Sequence, residues 1–390
     1  MSLPPTPIPA PTPATPTEPP REATRLDERW PFPDVLRGVA ILGILCVNMQ
    51  DFAGYNEWQQ RGPDRVAQVL IDLFFNGKFI SIFAMLFGAG MALIAQRAGP
   101  ARLLRRLLLL LLLGGLHFTL VWNGDIISLY APLGMLLLPL LLTRLSPARL
   151  TLLAGGLGVW WLGLRVADAL GAAPGPRWSF VLPLPPSTSY PDLLRLRTGH
   201  FPADLLDGGL YNLQWLLALL LLGMVAQRSG LLARPREHRR LLSGLALGGL
   251  LMGLPLSGLL AWLNSGQTQA AGLWEVPVRM SSGLALALGY VGLIGLALAA
   301  GGGGWLRSFA APGRLALSNY ISQSLVMTTL FYPYGLGLYG GLGAAGCLGL
   351  ALLLGGLQLG LSGLILRRFR AGPLEWGLRR LVYGGTRRER

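Results

Sequence analysis

The chain has 390 residues, of which 33 are Lys or Arg and 18 are Asp or Glu; 13% are charged and 52% hydrophobic. Soluble domains carry about 25% charge, so this composition excludes a soluble two-domain enzyme of the same length. A disulfide scaffold and a zinc site are excluded too, because the only thiols, Cys46 and Cys347, sit in apolar runs and the three histidines are scattered.

Residues 1–33 hold 11 of the 29 prolines. They are expected to form a disordered, polyproline-like tail with no apolar core of a signal peptide. Beyond it the chain reads as all-α, a polytopic membrane bundle over 34–384 followed by a basic tail, 385–390. A helix crosses the hydrocarbon core in about 20 residues. By that measure ten spans are expected: 34–51, 78–96, 103–122, 126–143, 149–169, 209–228, 240–262, 281–300, 315–333 and 342–366. Residues 66–77 read as an interfacial helix and 170–208 as a Pro-rich external loop. Backbone groups in lipid must be satisfied internally, which makes these runs helices and not strands.

Net charge +15 does not imply nucleic acid here, because the arginines form short clusters between apolar stretches. Alternate connections carry Arg97, Arg102, Arg105 and Arg106; Arg144 and Arg149; Arg228, Arg234, Arg236, Arg239 and Arg240; Arg307 and Arg314. The positive-inside rule therefore places both termini in the cytoplasm, in a multi-pass protein of the cell inner (cytoplasmic) membrane.

Ionisable and amide groups inside spans are costly and become functional candidates, with helix–helix glue as the structural alternative. Asp34 and Arg37 are spaced i,i+3 at the cytoplasmic start of the first span, close enough to pair or to hold a phosphate. Asn48 lies at the external end of that span. Lys78, the single lysine against 32 arginines, opens the second; it reads as a snorkelling anchor or as a partner of Asp72. His117 falls in the outer third of the third span, near Asn123, Gly124 and Asp125, and a carboxylate beside an imidazole is a common acid–base pairing. On the ninth span Asn319 and Gln323 share a face near Arg314, as a site or as a polar zipper.

Several motifs, taken in order, resemble one known group. Residues 33–48 (Pro-Asp-Val-Leu-Arg-Gly through Cys-Val-Asn), 77–90 (Gly-Lys-Phe-Ile-Ser through Gly-Ala-Gly), and His117 with Trp122-Asn123-Gly124-Asp125-Ile126 and Tyr130 resemble the YeiB family, the DUF418 bacterial membrane proteins. So do 313–324, 334–340 and 372–383. The first-helix motif is also similar to that of heparan-glucosaminide acetyltransferases, membrane enzymes that carry an acetyl group from cytoplasmic acetyl-CoA to a sugar amine on the far side. That resemblance implies a role for Asn48. It would also place a catalytic histidine in the following loop, where this chain reads Asn-Glu-Trp-Gln-Gln at 56–60.

The leading expectation is acyl transfer. Asp34, Arg37 and Arg314 would bind an acyl-CoA donor at the inner mouth. His117 would act as base, oriented by Asp125, with Asn48 or Lys78 stabilising the oxyanion and Tyr130, Asn319 and Gln323 lining the pocket. The alternatives are a transporter of a small solute and a non-catalytic membrane scaffold or sensor. The expected partners are the lipid bilayer and a small-molecule substrate, with neither metal nor nucleic acid.

Overall fold

The computed structural model describes residues 31–143, 145–171, 188–266, 269–301 and 304–384. Arg144, the basic segment 385–390, nearly all of the expected tail and part of the expected external loop (172–187) lie outside the described residues.

Among the described residues every regular element is helical. In chain order they are α1 (Phe32–Ala53), a short 3₁₀ helix (Glu57–Gln59), α2 (Gly62–Phe74), α3 (Lys78–Ala98), α4 (Pro100–Leu120), α5 (Ile127–Leu136), α6 (Leu138–Leu142) and α7 (Pro147–Ala169). Then come α8 (Tyr190–Arg228), a 3₁₀ helix (Pro235–His238), α9 (Arg239–Leu263), α10 (Gln269–Ala299), a 3₁₀ helix (Gly304–Phe309), α11 (Ala310–Arg314), α12 (Ala316–Phe331), α13 (Ala344–Arg368) and α14 (Pro373–Tyr383). Eight stretches are long and apolar enough to cross a membrane. The chain is a multi-pass membrane protein.

Three departures from the sequence expectation have local causes. The expected span 126–143 breaks between α5 and α6, where Pro139 has no N–H to give and its ring crowds the preceding turn. The expected span 315–333 yields α12, 16 residues long. At 1.5 Å per residue that is about 24 Å, short of the roughly 30 Å core. Residues 190–208, expected as loop, are helical and continue without a break into α8, which reaches 39 residues. Their charges lower the hydropathy, but a helix about 58 Å long can extend well beyond the hydrocarbon.

Glycines let two crossings close. A Cβ on Gly38 would lie 1.8 Å from the Phe309 carbonyl oxygen, and one on Gly313 would lie 1.8 Å from that of Asp34, so α1 and α11 touch backbone to backbone. Gly88 and Gly223 do the same for α3 and α8. Small residues at helix contacts are how membrane bundles gain packing without a hydrophobic driving force.

α4 carries two stripes. Leu104, Leu108, Leu112, Leu116 and Leu120 recur every fourth residue and are exposed, facing lipid. Leu103, Leu107, Leu110, Gly114 and His117 form the buried face. That spacing turns His117 inward. Between α12 and α13 a polar zipper forms: Gln323 Nε2 donates to Gln358 Oε1 at 2.7 Å, and Asn319 Nδ2 donates to Ser362 Oγ at 3.0 Å. Gln358 Nε2 donates in turn to the Asn319 carbonyl at 3.1 Å.

Candidate functional site

The arginine-poor end gathers the last turns of α1, α4 and α9, the first turns of α3 and α5, and the N-terminal half of α8. His117 Nδ1 lies 2.8 Å from Asp125 Oδ1, and both side chains are buried. The other carboxylate oxygen of Asp125 accepts the Ser128 N–H at 2.6 Å and so also holds the start of α5. Gly114 makes this approach possible: a Cβ there would sit 2.3 Å from Ser128 N and 2.8 Å from Asp125 Oδ2. Without a side chain at 114, the 125–128 turn lies flat against α4 one turn before His117.

Two aromatic rings frame the imidazole. Tyr320 of α12 lies 5.2 Å from it between centroids, and Trp122 lies 6.4 Å away, edge-on. The Tyr320 hydroxyl accepts the Ile126 N–H at 3.4 Å, tying α12 to the same turn. Trp122 in turn packs on Phe52 of α1, centroids 4.1 Å apart. His117 Nε2 is buried and has no hydrogen-bond partner. A carboxylate on one ring nitrogen with the other nitrogen free is an arrangement that a general base can use.

Asn48 is half-buried on α1, one turn before Phe52 on the same face, and its amide makes no hydrogen bond among the described residues. Tyr130 packs its ring against Phe83 and Phe87, with a buried hydroxyl that has no partner.

Lys78 belongs to a different network. It is fully buried, so it is not a snorkelling anchor, and its Nζ donates to the Asp72 carbonyl. The Asp72 carboxylate accepts from Gln68, Asn76 and Asn264, at 3.1, 3.1 and 3.0 Å. Arg65 closes this corner by donating to the last carbonyls of α9, Ala261 at 2.7 Å and Asn264 at 3.0 Å. Nearby, Arg279 pairs with Glu275 at 2.9 Å and also senses Glu57 and Asp51. Glu57, in the turn between spans, has its carboxyl pushed up to about 8 by burial and by Glu275.

At the arginine-rich end, Arg37 pairs with Asp34 at 2.9 Å and reaches the Gly313 carbonyl at 3.4 Å. Arg106 lies within the field of Arg37 and Arg379. Arg314 instead donates to the Arg370 carbonyl at 3.2 Å. Asn319 and Gln323 are engaged in the α12–α13 zipper. Sequence reasoning had singled out neither Tyr320 nor the Glu275–Arg279 pair. The i,i+4 opposite charges flanking Pro277 were a readable signal, whereas the contact of Tyr320 with His117 is nonlocal.

Residues 226–385 match a family described as a protein of unknown function, DUF418. Over nearly its whole length the chain is similar to three proteins. It is 30% identical to the uncharacterised protein YxaH of Bacillus subtilis (strain 168), covering 93% of this chain and 96% of the relative. It is 32% identical to the uncharacterised protein YeiB of Escherichia coli (strain K12), covering 90% and 95%. An uncharacterised 39.9 kDa protein from the amylase 3′ region of Bacillus acidopullulyticus shares 27% over 92% and 95%. Ordered motifs, a helical membrane bundle and full-length likeness agree: the chain belongs to the YeiB-like DUF418 family of membrane proteins.

Proposed function

We propose that the chain transfers an acyl group from a cytoplasmic acyl thioester, of the acyl-CoA class, to a hydroxyl or amine presented at the outer face of the inner membrane. The observation that carries this reading is the buried His117–Asp125 pair with Nε2 left free. In the proposed step, Nε2 takes the proton of the acceptor O–H or N–H while its heteroatom attacks the thioester carbonyl. The tetrahedral intermediate collapses, the C–S bond breaks, and the thiolate leaves with the proton returned by the imidazolium. Asp125 steadies the imidazolium and fixes the ring through Nδ1. Asn48, with an unengaged amide one turn from Phe52, supplies a donor for the developing oxyanion. Arg37 and Arg106 supply the positive charge that a donor's phosphates require.

The test uses the purified full chain in proteoliposomes with acetyl-CoA and glucosamine on opposite sides, reading free thiol and N-acetylated product. Wild type is expected to release CoA with product. His117→Ala should lower the rate by about 100-fold or more, the scale of a lost general base. Asp125→Asn should lower it in the same direction with expression unchanged. If His117→Ala turns over acetyl-CoA as wild type does, His117 is not the base.

A further inference from the structure

Arg197 lies on the N-terminal half of α8, one turn after Leu193, and its side chain is wholly buried. None of its three guanidinium nitrogens makes a hydrogen bond of normal geometry; the Tyr332 hydroxyl is close enough to interact with the fork but answers at most one of its donors. The guanidinium carbon stands 5.3 Å from the centroid of the Tyr332 ring, which covers one side of it. Asp192, five residues earlier on the same helix, pairs with Arg195 at 3.1 Å, and no carboxylate among the described residues forms an ion pair with Arg197. Leu193 and Tyr332 belong to the same packed cluster as Phe52 and Trp122, so Arg197 and His117 border one body of side chains at the arginine-poor end.

An arginine keeps its charge at any working pH and offers five N–H donors in a planar fork. Burying that fork with most of its donors unanswered is strongly unfavourable. Stacking on a phenol satisfies the face of the guanidinium but none of its in-plane donors. We propose that Arg197 binds an oxyanion, a carboxylate or a phosphate ester, carried by a ligand that enters at the arginine-poor end beside Tyr332. A two-oxygen group in the plane of the fork answers two donors at once. The shared chemistry fits an anionic lipid headgroup or a soluble anion. The proposal uses no step of acyl transfer and stands apart from it.

The experiment follows melting temperature of the full chain in a nonionic detergent. It titrates inorganic phosphate, acetate, and mixed micelles of phosphatidylglycerol against phosphatidylcholine. Wild type should show a saturable rise, because a ligand that binds only the folded state stabilises it by mass action. A rise with phosphate or acetate identifies a soluble anion, and a rise with phosphatidylglycerol alone identifies a lipid. In Arg197→Met the rise should vanish or need at least about tenfold more ligand. Its ligand-free melting temperature should be unchanged or higher, since an unpaired buried charge has been removed. His117→Ala should keep the rise, which separates this site from the transfer reaction. The proposal is overturned by no saturable rise in wild type, by an equal rise in Arg197→Met, or by a marked ligand-free loss in that variant.

Discussion

At the scale of single residues, Gly114 decides whether the imidazole and the carboxylate can meet. It lies on the buried stripe of α4, three residues before His117, and the 125–128 turn occupies the space its side chain would fill. Gly114→Ala is therefore not a mild change. Its methyl meets backbone nitrogen, which cannot rotate away, so α4 and the start of α5 must separate. Overpacking of this kind costs about 1–3 kcal/mol. The variant should melt lower than wild type in detergent and, on the proposed function, lose acetyl-CoA turnover as His117→Ala does. Unchanged melting and turnover would show that the turn has slack. The approach of His117 to Asp125 was expected from their eight-residue separation and common depth. The Tyr320 ring beside it and the engagement of Lys78 in the Asp72–Asn264 network depend on chain segments far away in sequence.

At the scale of elements, α12 is short and carries Ser318, Asn319, Ser322 and Gln323, so its stability comes from neighbours more than from lipid. Its N-terminus is satisfied from another helix. Glu375 of α14 accepts the Leu317 and Ser318 N–H groups at 2.8 and 3.0 Å and the Ser318 hydroxyl at 2.5 Å. This is an N-cap supplied across the fold, with a carboxylate at the positive end of the helix dipole. Glu375→Ala should cost about 0.5–2 kcal/mol, read as a lower melting temperature. Glu375→Gln, which keeps an acceptor, should recover part of the loss. Equal melting of all three proteins would mean that water caps α12 as well as Glu375 does. The i,i+4 spacing of Asn319 and Gln323 had left site and zipper equally open. Gln358 and Ser362, on the facing helix, decide for the zipper.

At the scale of the whole molecule, the arginine clusters predict the sidedness of the bundle. Reporter fusions after Gly99 and after Arg236 should read cytoplasmic, and one after Thr188 external. A cytoplasmic reading at Thr188 would reverse the assignment of His117 and Arg197 to the outer face. The sequence by itself determined the membrane class, the helical identity of the apolar runs and nearly all their positions. These follow from lipid, which leaves backbone groups no partner but the helix and so makes local hydropathy decisive. Tertiary structure alone decided which polar groups of distant segments meet. Asn264 joins Asp72, Tyr320 stands beside His117, Gln358 and Ser362 face Gln323 and Asn319, and Arg197 is buried although it lies in a stretch polar enough to read as loop. Helix packing sets those partnerships through backbone approaches at glycines such as Gly38, Gly88 and Gly114, and no local pattern records which helix stands opposite.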